Sequence, residues 1–266
     1  EINQGWAVGD AFFDRYSGDY VLVSDLTVGR AGFSDETYPK KSENTSGHGI
    51  HLENCSQVVL DEINVYGHDV GLYVGGTNSF GNLINDFVSD TANLDGILVK
   101  DSIADEFNLV LVSDSKGNGA RLVNAQRTVF ENPDFITNGF RSNELSAVVI
   151  DGAVNVAIQS LEIVNSGRNA VEIVNSENTQ VTACNISQCG ADGILVSEQS
   201  INTTLDRISL GQAVGAGIHF DEVKDATLES PSEEWRGKYI PARIEFNEGP
   251  GILIEDSVNI RIGDSS

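Results

Sequence analysis

Five residues in the first half of the chain carry reactive groups of complementary kinds: His51, Glu53, Tyr73, Lys100 and Arg121. An imidazole and a phenol can act as proton acceptor and donor, in either order. A carboxylate two residues from the imidazole can orient it. An ammonium and a guanidinium can neutralise an anion, the guanidinium in bidentate fashion. Such a set suits removal of a weakly acidic proton α to a carboxylate, where the charge of the intermediate must be held. A rival acid–base hydrolysis needs two carboxylates about 5–9.5 Å apart, for which Glu53 with Asp69 or Asp95 are candidates. Any solvated face also carries polar side chains, so the set means something only if the fold gathers it.

What would gather it is a repeat. Gly49-Ile50-His51-Leu52 and Gly71-Leu72-Tyr73-Val74 share a pattern of glycine, apolar, variable, apolar. The pattern returns at Gly96, Gly119, Ala147, Ala170, Gly193, Gly217 and Gly251, at intervals of 22, 25, 23, 28, 23, 23, 24 and 34 residues. A period in the twenties marks a solenoid. Apolar residues alternate within each repeat, as in Ile50/Leu52, Val58/Leu60 and Ile63/Val65. That is strand periodicity, with about three short strands per coil. Like strands of successive coils then stack in parallel, about 4.8 Å apart.

Two residues after most template strands stand Asn54, Asp101, Asn124, Gly152, Asn175 or Asp256, types that tolerate a left-handed backbone. Glu198 and Glu222 break that rule. The second and fourth template residues point inward, so the third and fifth point outward. His51, Glu53, Tyr73, Lys100 and Arg121 therefore fall on one outer patch spanning four coils. Asp95 and Glu172 lie beside it as candidate ligand contacts. His48 and His68 fall at turns, as solvated residues. His219 and Asp221, on a distant coil without a neighbouring Tyr or Arg, read as structural.

The G-I-x-I strand, the N-S turn and the approach ending in D-G resemble the parallel β-helix repeats of the pectate-lyase-like superfamily. The resemblance covers about residues 20–266 and is specific for architecture rather than activity. It implies an all-β, right-handed single-stranded parallel β-helix of about nine or more coils. The expected layout is one domain over residues 1–266, with irregular first coils to residue 48 and regular coils from 49 to 266. The F-G-A-x-G-D-G opening common in such chains is absent, so the cap is missing or unrecognised and the expectation is a piece of a longer polypeptide or an oligomer. The resemblance also implies catalytic groups on the outer template face, acting on a polysaccharide. In that setting the anion is a uronate carboxylate, held by Lys100 and Arg121. The "SGHG" at Ser46 to Gly49 lacks the aspartates of polygalacturonases, and His51-Leu52-Glu53 differs from the D-P-H-E of alginate epimerases. A tailspike-like or secreted lyase-like protein, extracellular and homotrimeric, is the expectation. A non-catalytic receptor-binding spindle is the alternative.

The two long intervals hold insertions, one at Thr137–Ser146 and one at Ser230–Arg243. The second carries Trp235, Arg236, Lys238 and Tyr239, aromatic and basic groups suited to stacking on sugar rings. A loop covering the coil edge, or a subunit contact, would use the same residues.

The net charge of -24, from 40 acidic and 16 basic residues, disfavours nucleic-acid and anionic-membrane partners. Divalent cations, calcium among them, could screen it. No apolar run approaches a membrane span. Of three cysteines, Cys184 and Cys189 are near enough in sequence to pair, whereas Cys55 lies several coils away. No histidine near that pair completes a zinc set.

Overall fold

The structure is a computed structural model that describes residues 2–8, 11–14, 21–29, 47–139, 145–229 and 243–263. Its described residues form strands, turns and bends without a helix. The nine template strands, His48–Glu53, Val70–Gly75, Ile97–Lys100, Ala120–Val123, Val148–Asp151, Val171–Val174, Ile194–Ser197, Ile218–Asp221 and Ile252–Glu255, stack in chain order. Preceded by Ala11–Asp14, they form a ten-stranded sheet. Every pairing is parallel and links one coil to the next.

The remaining strands build a fourteen-stranded sheet. The second and third strands expected per coil often run together there, as in Val58–Tyr66 and Gln180–Cys189. Elsewhere they stay separate, as in Val129–Glu131 and Asp134–Ile136. The solenoid makes about seven turns, fewer than the nine or more coils expected.

Each coil changes direction at left-handed residues. In one coil these are Asp101, Ala104, Leu109 and Asp114, with φ of 55°, 58°, 54° and 52°. The stack imposes this conformation on whatever side chain is present, although it costs an L-residue roughly 1–2 kcal/mol. Glu198 and Glu222, which broke the residue rule, adopt φ of 51° and 55° all the same.

Inward template residues such as Ile50, Leu52, Ile97, Val99, Ile194 and Val196 are fully buried in one continuous core. The template glycine has a packing reason rather than a turn reason. A Cβ on Gly193 would sit 2.5 Å from the Gly217 carbonyl of the next coil and inside the Leu210 side chain. The three cysteines are buried and none forms a disulfide, so Cys184 and Cys189 do not pair. Burial raises both thiols, and Cys189 is pushed up to about 12 with help from Asp192.

Candidate functional site

Register decides which outward side chains meet. His51, Tyr73, Leu98 and Arg121 form one column across four coils. Glu53, Gly75, Lys100 and Val123 form the next. The five candidates thus share one face, but Leu98 separates Tyr73 from Arg121 by two strand spacings, roughly 10 Å.

The tight part of the site is at its first two coils. His51 Nε2 faces Glu53 Oε2 at 3.5 Å. Its Nδ1 lies 2.6 Å from His48 Nδ1. His48 stacks on both His51 and Tyr73, and His51 lies tilted by 43° against Tyr73, with ring centroids 4.7–4.9 Å apart. His48 is therefore part of the cluster, not a solvated turn residue: its strand starts at His48, one residue before the template glycine. His68, also expected in solvent, is fully buried.

Two nitrogens cannot approach to 2.6 Å with lone pair against lone pair or proton against proton, so one proton lies between the two histidines. If His48 donates it, His51 carries its own proton on Nε2, toward Glu53. Tyr73 completes the set. Burial, then the charge of Glu53 and a hydrogen bond to it, push the phenol up to about 12. The phenol is protonated at neutral pH, as any tyrosine is, and what the site adds is its place beside Glu53.

The remaining candidates fare differently. Lys100 is exposed one strand beyond Gly75. Arg121 pairs through Nε with Asp95 Oδ2 at 3.3 Å. Asp95 is only 7% exposed, and its Oδ1 accepts the Asn118 backbone N–H at 3.1 Å and side-chain amide at 2.9 Å. Asp95 is thus a buried turn brace, not an open ligand contact. Asp69 is similarly engaged, accepting from Gly47 N–H and the Asn93 amide. Glu172 lies two strands beyond Arg121, where Ser146 Oγ donates to it at 2.7 Å and Asn169 at 3.1 Å, with Arg168 Nη1 at 3.8 Å. Trp235, Arg236, Lys238 and Tyr239 lie outside the described residues.

His219 lies between two carboxylates, Nδ1 3.0 Å from Asp192 and Nε2 3.1 Å from Glu255. The three residues belong to successive coils, so the imidazole ties those coils together. Among the described residues no group of three or more His, Cys, Asp or Glu side chains is placed to hold a metal ion, and no helix there is long and apolar enough to cross a membrane.

Among solved structures, the chain is similar to the enzymatically active domain of bacteriophage CBA120 tailspike protein 2, with a TM-score of 0.64 and 14% identity, covering 91% of this chain and 44% of that one. It is similar to the periplasmic alginate epimerase AlgG, with a TM-score of 0.67 and 11% identity, covering 93% and 60%. A third is the A-module of the Azotobacter vinelandii mannuronan C-5 epimerase AlgE4, with a TM-score of 0.66 and 13% identity, covering 92% and 68%. The chain thus spans less than two thirds of the length of the tailspike domain and of AlgG. At such identities the likeness is one of fold. No curated protein matches the chain. The model of a right-handed β-helix region matches residues 132–266, a stretch that begins beyond the His48–Arg121 face. That stretch is just over half of the sequence, its parallel coils are those of the structure, and the chain belongs to the right-handed β-helix family.

Proposed function

We propose that the protein binds an extracellular, uronate-bearing polysaccharide along the outer face of the ten-stranded sheet and acts on it by proton abstraction, as a lyase or an epimerase does. One observation carries this reading: His51, Glu53 and Tyr73 converge, with the phenol kept protonated beside a carboxylate. The base is His51 Nε2, which is free when His51 rather than His48 carries the proton shared between their Nδ1 atoms. It takes the proton from the sugar carbon, whose C–H electrons pass into the adjoining carboxylate as an enolate, and Glu53 balances the imidazolium so formed. Tyr73 then gives its proton, either to the departing glycosidic oxygen or to the opposite face of the same carbon. Lys100, in register with Gly75 on the next coil, neutralises the uronate. The sheet supports a linear polymer because its outward positions repeat about every 4.8 Å along the axis. The folds of the tailspike and the two alginate epimerases agree with a glycan partner. An extracellular, homotrimeric state is part of the same proposal.

The test is a panel of uronate-containing and neutral polysaccharides, followed by unsaturated-uronate absorbance and by NMR of the uronate C5 configuration. Tyr73→Phe and His51→Ala should each lower turnover by orders of magnitude at unchanged melting temperature. Lys224→Ala, exposed on a distant coil, should leave it unchanged. A second reading, a non-catalytic receptor-binding spindle, is favoured by the Arg121–Asp95 pair, which keeps the guanidinium on the protein. Binding without product on every glycan of the panel would select it.

A further inference from the structure

Gly75 ends the template strand that carries Tyr73 and faces outward, in register with Glu53 on one side and Lys100 on the other. An outward position between two charged neighbours should be solvated, yet Gly75 is buried. What covers it is Tyr73. A Cβ built on Gly75 would run into Oη, Cζ and Cε1 of that ring, and these are its three nearest neighbours. The backbone makes no such demand, because Gly75 is not among the glycines with positive φ. Any L-residue could adopt its conformation. The ring alone excludes a side chain.

The sequence agrees. Among the nine template strands Tyr73 is the only tyrosine at the third position, and Gly75 is the only glycine at the fifth. The missing Cβ leaves a notch in the outer column between Glu53 and Lys100. The Tyr73 ring lies along its own strand into that notch instead of projecting into solvent. Its hydroxyl is thereby brought to Glu53 and its face to His48 and His51. We propose that Gly75 is a positioning residue, whose absent side chain lays the Tyr73 phenol beside Glu53 as the proton donor of this face. The inference deepens the proposed function and rests on it for the word donor, but the placement of the ring stands on geometry alone.

The experiment is Gly75→Ala, read by ultraviolet titration of the phenols, with Tyr73→Phe subtracted to isolate Tyr73. In the parent protein Tyr73 should titrate at about 12. In Gly75→Ala the ring is displaced and its titration should fall to the ordinary range near 10. On a glycan that the parent turns over, kcat should drop tenfold or more while KM stays within about twofold, since the loss lies in proton donation. Gly75→Ala is also compared in a Tyr73→Ala background, where the cost in melting temperature should vanish because the two changes are coupled through one contact. That comparison holds even if the single variant folds poorly. An unchanged Tyr73 titration in Gly75→Ala would overturn the proposal, as would an equal loss of melting temperature with and without the Tyr73 ring. If the titration shifts but the parent acts on no glycan, the positioning stands and the catalytic reading alone falls.

Discussion

His48 and His51 meet Nδ1 to Nδ1 at 2.6 Å, although they stand three positions apart along one strand. The contact makes His48 a determinant of which nitrogen of His51 carries a proton, and so of what His51 can do toward Glu53. Side-chain ¹⁵N spectra should show one protonated and one unprotonated Nδ1 in this pair. His48→Ala should change the His51 pattern and lower activity to within about tenfold of His51→Ala. A His51 spectrum indifferent to His48→Ala would dissociate the two rings.

Asp95 and Arg121 touch, but their removal should have opposite signatures. Asp95→Ala leaves the buried Asn118 N–H and amide without their acceptor. It should cost about 1–3 kcal/mol, seen as a lower denaturant midpoint. Arg121 is 45% exposed on its side chain, so Arg121→Ala should stay within about 0.5 kcal/mol of the parent. If Arg121 also grips the glycan, its loss appears in KM. Equal destabilisation by both changes would contradict the assignment.

Asp105 is almost fully buried, and desolvation raises its carboxyl, partly offset by hydrogen bonds from Ser102 and Asn82. The sign follows from proton linkage. A carboxyl whose folded value is raised binds its proton more tightly in the folded state, so stability is greatest below the ordinary carboxylate range and falls as pH rises from there through the folded value. Asp105→Asn keeps an oxygen acceptor for Asn82 and carries no charge to bury. It should melt higher than the parent at pH 7, with the difference shrinking as pH falls through the raised folded value toward the ordinary carboxylate range. A variant less stable than the parent at every pH would refute this.

The template strand sets a graded pair of core effects. Ile194 is fully buried, and Ile194→Ala should cost about 2–5 kcal/mol by transfer loss plus cavity. Gly193→Ala should destabilise as well, because its Cβ already meets Leu210 and the Gly217 carbonyl, although Ala147 and Ala170 show that a coil can be built around alanine at that place. Gly193→Val should be worse still, since two methyl groups are added to that crowded Cβ. Chemical denaturation of the three variants gives the order directly.

The coil architecture was legible because the core requires it everywhere: inward Ile50, Leu52, Ile194 and Val196 recur with period two and return once per coil. The outward columns follow from the same parity. His48 escaped because parity puts residues three apart on opposite faces, and only the local geometry where the strand begins brings its ring onto His51. The Asp95–Arg121 pair escaped because side-chain reach across coils is not written in any one strand. Gly75 was visible as an outward position, but as an empty one. Its meaning lies in the ring that fills it.

Each coil touches only the coils before and after it, as the strand pairings show. Stability in such a stack is a chain of nearest-neighbour couplings, so a local opening spreads only by way of adjacent coils. A cavity cut at Ile194 should therefore quicken hydrogen exchange in Val171–Val174 and Ile218–Asp221, the strands paired with it, before it is felt in Val70–Gly75. The His51–Tyr73 face stands several coils away and can keep its geometry while that part of the axis opens and closes.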